Sequence, residues 1–413
     1  MPGNDTYTRV TQTSWFARIG RSFQGLGVGL ILLLVATGLM YWNEGRAVRT
    51  SNVISEAQRS TVALPGIGTV DPAFNGKLVH ASGLANTNNI VSDPLFGVRA
   101  QAIRLERKAQ YFQWVESSKN ETRQKLGGGE ETVTTYTYEQ KWVDNPVDSS
   151  KFQQPEGHQN TINAQADSDK WHAPQVQFGA YRLPEFLVQA IGGSAPLDIG
   201  LNEQQQEALQ KVLFPNTASA VGSALPRHRT TVHTRDRSPM VHTLGNVLYL
   251  GSNMNQPSIG DVKLAYFSVP QAEVSIIAQV NGDSFEPYRV AGGSSFSRLS
   301  MGTVGMDNMF QSAVASNSAL TWVVRAISIL LAIGAFKVLS APLQVIAGLV
   351  PLFGKIVGAG TGFVATLMGL AWSCMVIAFA WLRFRPLLGL TLLAVTAALF
   401  FLLFFKGRKR NVA

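Results

Sequence analysis

The chain has 413 residues, 46% of them apolar, with 35 Lys and Arg against 26 Asp and Glu and a formal charge of +9. One cysteine, Cys374, excludes an internal disulfide, so the fold must be held by its own packing. The basic excess lies in residues 318–413, which carry nine Lys or Arg and no acid, whereas residues 43–317 carry 23 basic against 25 acidic side chains. Charge flanking apolar runs excludes a nucleic-acid interface and points to a membrane.

Residues 1–24 read as a polar cytoplasmic segment, with an amphipathic lead-in from Ser14 to Gly20. The first membrane helix is predicted over residues 25–42, with Gly25 and Gly29 four apart where a second helix can approach closely. It ends on Tyr41 and Trp42, residues suited to a bilayer interface, and lacks a small-residue cleavage site, so it reads as a retained anchor. Next comes a juxtamembrane motif, Asn43, Glu44, Gly45 and Arg46. Arg46 is expected to clamp the following domain against headgroups, Glu44 or the later helices.

Residues 43–317 read as a β-rich α+β domain on the non-cytoplasmic side. Alternating polar and apolar residues over 98–115 and 132–142, joined through Gly127-Gly128-Gly129, predict a long hairpin. A second hairpin is predicted around Asn281-Gly282-Asp283, because Asn-Gly suits a tight primed turn. Helices are expected over residues 184–191 and 203–213.

Residues 318–405 form an apolar block with helices expected at about 319–339, 356–382 and 386–405. Residues 340–354, broken by Pro342 and Pro351, read as re-entrant or interfacial, and 406–413 as a basic cytoplasmic tail. The fold class is thus a multi-pass α-helical membrane protein, with one N-terminal and three C-terminal spans, that carries the β-rich domain between spans 1 and 2. Arginines near the first helix and basic residues after the last predict both ends in the cytoplasm. Arg325, Arg383 and Arg385 read as charges at the lipid interface, with Arg325 reaching headgroups along its stem or else holding a specific partner, and Arg383 and Arg385 facing lipid phosphates or an acid of the domain. Gly354, Gly358, Gly362 and Gly369, continued by Thr366 and Ser373, make a small-residue line suited to helix packing, either within the chain or between copies.

Chemistry-bearing patterns are few. His228, His233 and His242 share no helix face and lie among arginines, so no metal site is predicted. The segment 348–355 has the wrong glycine spacing for a phosphate loop and Ile356 where Ser or Thr is needed. No nucleophile elbow or dinucleotide fingerprint occurs, and no cofactor is implied. After Asp307 there is no Asp, Glu or His, which argues against proton-coupled transport.

The stretch Asn43-Glu44-Gly45-Arg46-Ala47-Val48 resembles the juxtamembrane signature of the transmembrane protein 43 family, also called LUMA. Matching residues follow in order: Leu78-Val79-His80, Ser92-Asp93-Pro94 with Gly97-Val98, Tyr111, Gln113-Trp114-Val115-Glu116, Trp142, Gly157-His158, Gly260-Asp261, Asn317-Ser318, Thr321-Trp322, Arg325 and Arg385-Pro386-Leu387. The chain departs from the family pattern at Asn160-Thr161, where members often have Asn-Pro. The resemblance implies a non-enzymatic membrane scaffold that self-associates and organises lipid and other membrane or envelope proteins. Eukaryotic members are oligomers of the endoplasmic reticulum and inner nuclear membrane associated with emerin and lamins; a bacterial member would lie in the cytoplasmic membrane with other partners. The competing expectation is a channel or lipid-handling transporter built from the oligomerised block, with the glycine-rich segment 354–369 along its path.

Overall fold

A computed structural model describes residues 5–125, 127–214, 240–290, 292–347 and 351–391, with no side-chain surroundings described for 351–359. Its long helices are α1 (Trp15–Ser60), α4 (Met306–Leu339) and α6 (Pro351–Phe384), each with a stretch long and apolar enough to cross a bilayer. Two short helices, α2 (Glu185–Val188) and α3 (Glu203–Leu213), lie in the domain, and α5 (Ala341–Ala347) links α4 to α6. At seven residues α5 is about 10 Å long, far short of a span. Residues 386–391 begin another helix; the remainder of the expected 386–405 span, and the basic tail, lie outside the described residues.

The first helix differs most from expectation. It covers 46 residues, so Asn43 to Arg46 sit inside it and the helix runs on into the domain. Its polar extension is held by tertiary burial: Ile54 and Ala57 pack with Leu78 and Ile277 of the domain and with Phe310 and Ala313 of α4. Helix α4 likewise starts at Met306, before the apolar block. A separate cluster of Ala36, Met40, Ala332 and Val376 joins α1, α4 and α6 deeper in the apolar region. Helices approach closely where residues are small: a Cβ at Gly29 would lie 2.8 Å from Leu339, and one at Gly369 would lie 2.7 Å from the Ile333 backbone.

The domain is built from two main sheets, antiparallel except where residues 62–63 pair in parallel with Val79 and His80, around one core that includes Ile103, Leu105, Phe178, Tyr266, Val274 and Ile276. The first contains β1 (Asp5–Thr13), β3 (Arg104–Gln124), β4 (Glu130–Val143) and β5 (Val262–Val269); the second contains β2 (Leu78–Asn86) and β6 (Ala272–Asn281). Along β5, Val262, Leu264 and Tyr266 are buried on one face, as strand alternation requires. The long hairpin β3–β4 forms around Gly127 and Gly128, both at positive φ. It lies later in the chain than expected: β3 begins at Arg104 and runs to Gln124, with residues 99–101 in a separate short strand. In the second hairpin the two turn residues are Gly282 and Asp283, since Asn281 already pairs with Ser284. Glycine at φ +61 sets that register one residue beyond the expected Asn-Gly pair.

The segment read as polar and cytoplasmic over residues 1–24 is instead a strand over Asp5–Thr13 followed by the start of α1, and its Asp5 end lies against the domain. β1 pairs with β4 from Asp5↔Tyr138 to Thr13↔Glu130, making a three-stranded ribbon β1-β4-β3. At the ribbon's tip Arg18 donates to the Gly128 carbonyl at 2.6 Å and pairs with Glu130 at 3.3 Å, beside the start of α1. Trp15 there donates its indole N–H to the Val345 carbonyl of α5 at 3.0 Å. At the ribbon's other end Asp5 meets His158 of the domain at 3.2 Å. Nine residues of β1 reach about 30 Å, the thickness of a hydrocarbon core. The ribbon therefore runs back beside the bundle, from the domain to the opposite end of α1.

Candidate functional site

The residues of the resemblance converge where α1 meets α4 and α6. Glu44 is 1% exposed at its side chain, and Arg325 is 10% exposed. The Arg325 guanidinium donates through Nε to Glu44 Oε1 at 2.6 Å and through Nη2 to Oε2 at 2.8 Å. Trp381 of α6 adds its indole N–H to Oε2 at 2.9 Å. The guanidinium carbon stands 4.8 Å from the Trp322 ring centroid and 5.8 Å from that of Trp381. A planar fork on a carboxylate, covered by aromatic faces, is the geometry in which an ion pair tolerates loss of water.

Two residues further along α1, about 3 Å, Arg46 forms a second layer. Its Nη1 donates to Asn317 Oδ1 at 3.0 Å and its Nη2 to Thr321 Oγ1 at 2.9 Å, while its Nε and Nη2 also face Asn43 Oδ1. Asn43, fully buried, donates to the Thr321 carbonyl at 3.0 Å, and Asn317 donates to the Ala47 carbonyl at 3.0 Å. Gly45 is needed for close approach, because a Cβ there would lie 2.8 Å from the Phe384 ring. The motif is thus a lock between three helices.

This corrects the reading of Arg325. It does not reach lipid headgroups along its stem but is buried against Glu44, because α1 extends far enough to bring a carboxylate opposite it. Sequence alone placed Glu44 outside the helix and so named no partner for Arg325. Arg383 is exposed, with its guanidinium 6.0 Å from the Phe384 ring. Arg385 is half-buried and adds positive charge around Glu44. Of the small-residue line, Gly369 packs on α4, whereas a Cβ at Gly362 would meet nothing within 4 Å among the described residues. Gly354 and Gly358 fall on α6, where their surroundings are not described.

The other motif residues serve the domain core. Asp93, fully buried, accepts from Arg107 and from the Tyr266 hydroxyl at 2.8 Å, and Arg107 lies over Phe96 and Trp171. Burial, reinforced by Asp93, pushes the Tyr266 hydroxyl far above the ordinary tyrosine range. Asp261 accepts from the Tyr249 hydroxyl at 2.6 Å, and burial raises that hydroxyl too. His158 stacks on Tyr138 at 3.9 Å and meets Trp114 edge-on. The departure from the family pattern is Thr161 in place of proline; next to it the Asn160 side chain bonds both the N–H and the carbonyl of Trp114 and holds the loop. These are saturated structural networks. Among the described residues no group of three His, Cys, Asp or Glu side chains could hold a metal; His228 and His233 lie outside them.

Apolar helices locked to a β-rich domain define an integral membrane protein. A model of the transmembrane protein 43 family matches residues 111–386, two thirds of the chain. The chain belongs to the transmembrane protein 43 family. It is 26% identical to rat transmembrane protein 43 over 387 residues, covering 91% of this chain and 88% of the relative. The human protein is 24% identical over 392 residues, covering 92% and 89%. A Drosophila melanogaster homologue is 24% identical over 377 residues, covering 90% and 91%. No solved structure matches the chain.

Proposed function

We propose that the protein is a non-enzymatic membrane scaffold, built from self-associating copies, with four spans and the domain held on one face of the bilayer. The observation that carries this reading is the ribbon. Along its outer half, Ser117 to Gln124 are exposed, as are residues 5–12 of β1, and among the described residues neither outer edge is paired there with another strand. Unpaired backbone groups in lipid cost several kcal/mol each, and irregular or open-edged backbone at membrane depth persists only against protein or water. A ribbon beside the spans therefore faces inward in an assembly of copies. The lock of Glu44, Arg46 and Arg325 supports this role, since it makes domain and bundle one rigid unit on which other membrane proteins and lipid can be arranged.

A channel is the second reading, favoured by the same ribbon if the space it faces is wet. The discriminating experiment uses Ser118→Cys and Thr122→Cys in a Cys374→Ser background, in sealed vesicles. Cross-linking between copies by a short bis-maleimide supports self-association around the ribbon. Absence of cross-links, with both sites protected from reagents in lipid and in water, sinks it. Modification by a charged, impermeant maleimide applied from either side identifies a wet path; modification from one side only identifies a closed scaffold.

A further inference from the structure

A cavity of about 560 Å³ opens at the junction of α1, α4 and the domain, next to the lock and sharing Arg46 and Asn317 with it. Three arginines line it: Arg46 and Arg49 from α1 and Arg298 from the domain strand 298–301. Around them stand hydroxyls of Ser295, Ser297 and Ser316, and no carboxylate lines the cavity. The guanidinium partners are neutral. Arg298 Nη2 donates to the hydroxyls of Ser312 and Ser316, each at 3.2 Å, and Arg46 bonds Asn43, Asn317 and Thr321. None of the three arginines forms an ion pair among the described residues. Burial pushes the Arg298 guanidinium down from its ordinary value, and no acidic group offsets this. Arg46 has the Glu44 carboxylate as a nearby charge, but Arg49 and Arg298, with no carboxylate in the lining, make a site that still lacks its counter-charge.

Depth indicates where the counter-charge comes from. Tyr41, Trp42 and Trp322 are 44%, 52% and 64% exposed and share one level, as interfacial aromatics do. Arg46 follows Trp42 by four residues and Arg49 by seven, about 6 and 10 Å further along the helix. A headgroup layer is about 5–8 Å thick on each side of the hydrocarbon core. Leu320, 49% exposed, forms the rim nearest the apolar region. Arg46 thus falls inside the headgroup layer and Arg49 just beyond it, within reach of its long side chain, so the cavity opens at the outer edge of that layer with an apolar rim toward the acyl chains.

We propose that this cavity binds the phosphate of an anionic phospholipid headgroup, with Arg49 and Arg298 as its principal ligands and Arg46 shared with the helix lock. Guanidinium forks match phosphate oxygens two at a time, and the serine hydroxyls complete the shell. The site does not depend on the chain being a scaffold; a channel would carry it equally.

The test is lipid binding by the full chain in detergent, followed by native mass spectrometry and thermal unfolding during titration with phosphatidylglycerol, phosphatidylcholine or inorganic phosphate. The account expects retained phosphatidylglycerol that raises the unfolding temperature, with at least tenfold weaker binding in Arg49→Gln/Arg298→Gln and unchanged binding in the surface control Lys211→Gln. Arg298→Lys, which keeps the charge and perturbs the fold least, should retain most of the binding. Equal response to phosphatidylcholine, or full binding by the double glutamine variant, overturns the site. A response to inorganic phosphate matching that to phosphatidylglycerol overturns the membrane source of the anion.

Discussion

Replacing Arg325 by Met leaves the Glu44 carboxylate, 1% exposed at its side chain, with the Trp381 N–H as its remaining direct partner. Removing one member of a buried ion pair costs about 3–5 kcal/mol, because the other charge stays desolvated. Two short charge-assisted bonds are lost at 2.6 and 2.8 Å, and such bonds are each worth about 1.5–3 kcal/mol before reorganisation, which agrees in size. Glu44→Gln strands the opposite charge and should cost a similar amount, somewhat less because the amide oxygen still accepts from Arg325. In the double variant Glu44→Gln/Arg325→Met no buried charge remains, so the total loss should be smaller than the two single losses added, with a coupling of about 2 kcal/mol or more. Denaturant titration of the purified chain in lipid discs, followed by tryptophan fluorescence, measures all three, since Trp322 and Trp381 border the pair. Additive single losses would refute the buried pair. Single losses under about 1 kcal/mol would return Arg325 to the headgroups, where an exposed pair is worth little.

Arg46→Ala should make the domain in membranes more sensitive to limited proteolysis, because it removes the bonds to Asn317 and Thr321 that bind α1 to α4; unchanged digestion would reduce Arg46 to an interfacial anchor. Gly369→Ile should destabilise the bundle by about 3 kcal/mol or more, since its first side-chain carbon already meets the Ile333 backbone at 2.7 Å, whereas Gly362→Ile should leave the protomer folded and change only the assembled mass in lipid discs. In the domain, burial acts to raise Glu106, but the Arg104 hydrogen bond and charge, with Lys170 and Ser194, hold it below its ordinary value. A depressed folded value means stability that is present above the unfolded glutamate range and lost as pH falls through the folded value. Urea midpoints against pH should therefore fall on the acid side, and Arg104→Met should flatten that part of the curve; an identical acid limb in the variant would remove Glu106 from the account.

Apolar runs without charge were legible as helices because a bilayer demands length and hydropathy, both local properties of sequence. The polar half of α1 was not, because Val48 to Ser60 owe their helix to burial of Ile54 and Ala57 against distant residues. The same gap concealed the central pairing, since Glu44 and Arg325 are 281 residues apart and each alone resembles an interfacial charge. A usable signal existed for β1. Residues 5–13 are rich in Thr, Tyr and Val, a strand composition, and so are residues 132–138 with which they pair. Another missed turn lies between strands 176–178 and 181–183, where Gly179 at φ +63 leaves no room for a side chain: a Cβ would lie 2.1 Å from the Ile67 carbonyl oxygen. The motif residues 43–46 stand out in the sequence, but only their contacts from α1 to α4 and α6 show that they lock the fold.

The proposal that copies assemble around the ribbon is tested most directly by the mass of the particle extracted into native lipid discs without detergent. One chain weighs 44.8 kDa. The account predicts a discrete multiple of that mass, reduced when β1 is unpaired by Tyr7→Pro and Thr11→Pro, whose N–H groups face the neighbouring strand in the ladder. A single 44.8 kDa chain per disc across the accessible concentration range, with the ribbon intact, would contradict it.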